Sequence, residues 1–216
     1  MNSTTKSVLQ LVLIAMFTAL TTVVTWFIQI PNPATGGYVN IGDSIIFASA
    51  ILLGPIPGFV VGGLGSCLAD ICSGYAHWAL PTFIIKGIEG FICGMLAYKI
   101  FRTEKKNYVK LTFLALASIL SAIVMVTGYF FANLAMGGIG KAVSSIIPNI
   151  CQGALSFAIS IAFISALLKT KVFNGYLNIG LTPQKQNLVV TPYEKSNANS
   201  DDNNNDDSNN DNTTTN

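Results

Sequence analysis

Lys86 and Glu89 lie three residues apart inside an apolar run that extends from residue 80 to residue 97. On a helix, that spacing turns the two opposite charges to one face. A charge at the centre of a bilayer costs roughly 2.5 to 3.5 kcal/mol on insertion scales, so a chain carrying two there uses them against a polar partner or a ligand. Asp70, in the preceding apolar run, adds a third ionisable group. Three chemistries fit: a buried salt-bridge cluster that fixes two helices, a proton path, or the floor of a pocket that a hydrogen-bonding or partly cationic ligand completes. The spacing alone does not separate them.

The elements that must hold these charges are membrane helices. Of 216 residues, 51% are hydrophobic and 10% charged, and the mean hydropathy is +0.54. Half of the acidic residues crowd into the last stretch, between Asp201 and Asp211, so the remainder is more apolar than the average. The pattern predicts an all-α integral membrane protein, about six helices in one bundle at roughly 20 residues per span. The expected spans are residues 8–30, 41–53, 58–73, 80–101, 109–134 and 143–168. The second begins with Asp43 or Ser44 as a cap and is too short to cross about 30 Å of hydrocarbon as a straight helix. The run 54–58, Gly-Pro-Ile-Pro-Gly, reads as a tight turn into the third. The first apolar segment is too long for a signal-peptide core and has no small-residue cleavage site, so it is expected to be retained. Residues 1–172 form the membrane domain, 173–195 a cytoplasmic linker, and 196–216 an Asn/Asp/Thr-rich tail too polar to order itself.

Basic residues set the orientation. Lys6, the cluster Lys99, Arg102, Lys105, Lys106 and Lys110, and the pair Lys169 and Lys171 all fall on one side of a six-span chain. By the positive-inside rule that side is the cytoplasm, which places both termini there. The outer loops then hold Tyr38, Asn40, Tyr75, His77 and Trp78, a polar and aromatic set suited to a small ring-shaped ligand. At the same depth, Tyr129 and Asn133 close the fifth span, and Asn149 and Gln152 open the sixth. Gly58, Gly62, Gly65 and Ala69 on the third helix and Gly87, Gly90 and Gly94 on the fourth predict close packing of those two, which would bring Asp70 within range of Lys86 or Glu89. The cysteines lack Cys-x-x-Cys spacing, and a lone His77 supplies neither a metal set nor a nucleophile–base pair, so neither a metal nor a cofactor is expected.

These residues together resemble a known family, the substrate-binding S components of energy-coupling factor (ECF) vitamin transporters. The likeness rests on Asn40-Ile-Gly-Asp43, Leu53-Gly-Pro55 with Gly58, Gly65-Ser with Asp70, Ser73-Gly-Tyr75, Pro81-Thr82 with Lys86-Gly-Ile-Glu89-Gly90, and Pro148-Asn149 with Gln152. It covers residues 8–168 and is nearest the riboflavin, hydroxymethylpyrimidine and pyridoxine branch. The resemblance implies a plasma-membrane protein that is not an enzyme and takes a small-molecule vitamin from outside. It also implies docking, through Ala15 and Ala19 on the first helix, on a transmembrane coupling subunit driven by two cytoplasmic ATPases, with no nucleic acid among the partners. The chain has no Gly-x-x-x-x-Gly-Lys-Ser/Thr motif of its own for ATP. A proton-coupled secondary transporter of a small polar heterocycle is the alternative, although such proteins commonly show repeated halves and none is found here.

Overall fold

A computed structural model describes residues 3–101 and 106–169, all within one compact unit spanning Met1–Ile179. The expected linker and tail, residues 170–172 of the expected membrane domain and residues 102–105 of the basic connection lie outside the described residues. The fold is mostly helical. α1 (Ser3–Phe27) leads into a two-stranded antiparallel hairpin, β1 (Gln29–Asn32) and β2 (Gly37–Asn40), then α2 (Asp43–Leu53), α3 (Pro55–Cys72), a short 3-10 turn (Ala76–Trp78), α4 (Ala79–Phe101) and α5 (Asn107–Lys169). The hairpin corrects the expectation of a plain outer loop at 31–40; its register pairs Gln29 with Asn40 and Pro31 with Tyr38.

Among the described residues, four helices are long and apolar enough to cross a membrane: Ser7–Phe27, Pro55–Cys72, Ala76–Phe101 and Tyr108–Ala166. The last stretch, at 59 residues, would reach almost 90 Å if straight, about three times the hydrocarbon thickness. It is broken at Gly138, whose φ of 78° is one that a Cβ-bearing residue rarely adopts. A Cβ on Gly153 would touch Ala122, and Gln152 reaches Met125, pairs almost equidistant from Gly138. The two arms therefore fold back on each other. Helix continues up to the break from both sides, so the outer connection expected between the fifth and sixth spans, residues 135–142, is shorter than its composition suggested.

α2 is the central element. Nine of its 11 residues are buried, because the helix is too short to reach both membrane faces and is instead wrapped by its neighbours. Phe47, Ala48, Ala50 and Ile51 pack with Cys93, Ala97 and Phe101 of α4 and with Leu114, Ala117 and Ile164 of α5 in the main apolar cluster. Burying each large side chain contributes about 1.5–3 kcal/mol where water is the reference. In lipid, close backbone contact takes over as the driving force. α3 and α4 meet through their glycines: a Cβ on Gly58 would run into the Gly90 carbonyl, one on Gly62 into the Lys86 carbonyl, and one on Gly94 into Pro55. Gly65 instead faces Thr18 and Thr21 of α1. The expected α3–α4 packing is present, and it fixes the height of Lys86 against α3.

Candidate functional site

Lys86 stands at the centre of a buried polar network. Its Nζ donates to Asp43 Oδ1 at 2.5 Å, to Glu89 Oε2 at 2.9 Å and to Met125 Sδ at 2.9 Å. Gln152 Nε2 donates to the other Asp43 oxygen at 2.9 Å, and Gln152 Oε1 accepts the backbone N–H of Asn40 at 3.0 Å. Asp43, Lys86, Glu89 and Gln152 are at most 4% exposed. In such surroundings each charge must be matched, since stripping one partner from a buried pair leaves an uncompensated ion. Asp43 was expected at a cap. The N-cap is Gly42, with no side-chain cap bond, and the Asp43 carboxylate is turned inward to Lys86. Asp70 lies within electrostatic reach of Lys86 and His77, yet its carboxylate is met by hydroxyls, that of Thr82 and that of Tyr38 at 2.6 Å.

The hairpin roofs this network. Trp78 Nε1 donates to the Gly36 carbonyl at 3.2 Å, Gln29 Nε2 to Ser73 Oγ at 2.6 Å, and the Tyr38 ring lies 5.1 Å from that of Tyr75. Burial, with the Asp70 carboxylate beside it, raises the Tyr38 phenol well above its ordinary value, so it remains a protonated donor. Asn40 Oδ1 receives the Gly42 N–H at 2.8 Å, and a Cβ on Gly42 would collide with Thr25 and Asn40. Only glycine lets the chain turn here from strand into α2.

Between roof and floor is a narrow cavity, open at its mouth. Of the expected site residues, Tyr38, Asn40, Asp70, Trp78, Lys86, Tyr129, Asn133, Asn149 and Gln152 line it. Tyr75 stands behind Tyr38, Glu89 lies beneath the floor, and His77 is exposed, its ring 6.0 Å from that of Trp78. Thr25, Ser66 and Thr82 also line the cavity; Ser66 and Thr82 belong to the stretches that carry the family likeness, and Thr25 carried no signal of its own in the sequence. A second, lipid-side cleft between the arms of α5 is lined by Ile119, Ile123, Ile150 and Phe157 among others; it lacks the convergent polar groups a small-molecule site needs. Ala15 and Ala19 lie on an exposed face of α1 with Leu11, Val12 and Met16.

A model of the ECF-type riboflavin transporter S component matches residues 5–176. The chain belongs to that family. As an S component it is a transport protein and not an enzyme. Among its relatives is a protein described as the thiamine precursor transporter HmpT, from Lactococcus lactis subsp. cremoris (strain MG1363), 29% identical over 172 residues, which are 79% of this chain and 95% of that one. A Pyrococcus woesei protein described as an uncharacterized protein in gap 3'region is 42% identical over 131 residues, 61% of this chain and 82% of the relative. A solved structure, described as that of the S component of a bacterial ECF transporter, superposes with a TM-score of 0.56 at 22% identity, covering 74% of this chain and 98% of the other.

Proposed function

We propose that this S component captures a small vitamin or vitamin precursor of the B6, hydroxymethylpyrimidine or riboflavin class from outside the cell, for uptake driven by ATP hydrolysis on partner subunits. The observation that carries this reading is the cavity itself. Polar and aromatic side chains from the hairpin, α3, α4 and both arms of α5 converge at one end of the bundle. Lys99 near the end of α4, Lys106 just before α5 and Lys110 in its first turn lie away from the cavity along their helices, which fits a cytoplasmic face by the positive-inside rule. In this reading all six rods, α1 to α4 and the two arms of α5, are embedded in the plasma membrane with both termini cytoplasmic. The exposed Ala15 and Ala19 face then meets a transmembrane coupling subunit that carries two ATPases. The test is uptake in cells with and without the coupling module, joined to mass spectrometry of the small molecule retained by the purified protein. Uptake that persists without the module and collapses with a protonophore would replace this reading with a proton-coupled carrier.

A further inference from the structure

The second arm of α5 carries two hollows on different faces. Ser145, Asn149 and Gln152 belong to the polar cavity, whereas Ile150, Ala154 and Phe157 line the cleft between the two arms. The cleft holds about 400 Å³, more than twice the roughly 150 Å³ of an engineered apolar cavity that stays dry and takes up benzene. No side chain in its lining carries a charge, and Ser118 and Thr127 supply the only hydroxyls there among the described residues. What turns away a polar ligand admits a hydrocarbon chain.

Its depth and its mouth narrow the choice of occupant. On the first arm the lining runs from Ser118 to Thr127, which begins about 12 Å along the helix from Lys110 and ends about 17 Å short of the break at Gly138. That is near the middle of a bilayer about 30 Å thick, where lipid chains or another helix can reach. The lining residues Ile119, Ile123 and Ile150 are 52%, 56% and 53% exposed. They are continuous with the lipid-facing surface of the second arm, where Ile139, Val143 and Ile147 are also exposed. A helix is about 10 Å across with its side chains and packs closely only on small residues; the exposed isoleucines hold such a rod away from Ala122 and Gly153 behind them. A single acyl chain is slender enough to enter, and it gains contact atoms from both arms at once. The wall behind it is thin. A Cβ on Gly153 would lie 3.6 Å from Met125 Cε, and the sulfur of the same Met125 accepts Lys86 Nζ at 2.9 Å. One side chain therefore connects the cleft to the buried ion network.

We propose that this cleft is a lipid site, in which one acyl chain of a bilayer phospholipid lies between the arms of α5 and holds them at the spacing that keeps Met125 against Lys86. To test it, the full chain is purified in mild detergent, stripped of loosely held lipid, reloaded with palmitoyl-oleoyl phosphatidylglycerol, stripped again and weighed by native mass spectrometry. A bound phospholipid should survive in the unaltered protein and in Ile147→Phe, which adds bulk on the lipid-facing surface outside the cleft. It should be lost from Ala154→Phe, which fills the cleft. Because a ligand of the folded state stabilises by mass action, the same phospholipid should raise the unfolding temperature of the unaltered protein and of Ile147→Phe by more than that of Ala154→Phe. Retention by Ala154→Phe, equal loss from both variants, or no lipid surviving in the unaltered protein overturns the site. A retained mass matching a free fatty acid overturns the phospholipid, and a dimer of the unaltered chain that Ala154→Phe dissociates puts a second copy in the cleft instead. Where Ala154→Phe does not fold, Ala154→Leu fills the same space with less bulk.

Discussion

Replacing Lys86 by methionine removes the cation that holds Asp43 and Glu89, with little change in side-chain length. Both carboxylates are fully buried. Asp43 would retain the Gln152 amide, whereas Glu89, whose Oε1 is already without a partner among the described residues, would lose the bond to its other oxygen. Removing one member of a buried ion cluster costs about 3–5 kcal/mol. That is roughly a 150- to 5,000-fold rise in the unfolding constant, at 1.36 kcal/mol per decade, against a typical total of about 5–15 kcal/mol. Reversible unfolding in mixed micelles, followed by tryptophan fluorescence, measures it. A triple variant, Asp43→Asn with Lys86→Met and Glu89→Gln, carries no buried charge in this network and should return to within about 2 kcal/mol of the parent, since whole ion clusters are often replaceable at small cost. If Lys86→Met unfolds within 1 kcal/mol of the parent, or if the triple variant is no better than the single one, the network is not what joins α2 to α4.

Three further outcomes follow from the same geometry. Tyr38→Phe deletes the 2.6 Å bond to Asp70 and should weaken ligand affinity by about 10-fold while leaving thermal unfolding nearly unchanged, by calorimetry and melting of the same sample. Gly90→Val places a branched side chain against the Gly58 backbone and should cost at least about 1–3 kcal/mol by overpacking, visible as lost monodispersity on size-exclusion chromatography. Ala15→Trp and Ala19→Trp lie on an exposed face of α1, so binding should be unaltered while co-purification with the coupling subunit and uptake are both lost; normal uptake would remove the docking assignment.

What was legible in the chain was local. The three-residue spacing of Lys86 and Glu89 put both on one face, and the glycine steps on α3 and α4 announced their contact, because helical period and small size are properties of short stretches. Asp43 was not legible as a partner of Lys86: an aspartate at the first turn of a helix has a common use as a cap, and nothing near it in sequence points 43 residues ahead. The pairing of Tyr38 with Asp70, 32 residues apart, was hidden for the same reason. Pro31 and Pro33 disguised the hairpin, since proline argues against a strand. It is tolerated in β1 because a two-stranded ribbon leaves every strand an edge. Gly137 and Gly138 read as loop, yet a single positive-φ residue was enough to reverse the chain.

The bond between Asn40 and Gln152 has a mechanical consequence. Asn40 ends the hairpin, Gln152 belongs to the second arm of α5, and the same Gln152 amide holds the Asp43 carboxylate that faces Lys86. One amide therefore holds the end of the hairpin through its oxygen and the start of α2 through its nitrogen. The roof and the helix pack are thus joined through one side chain, so a variant that removes the Gln152 amide acts on the hairpin and on α2 at once.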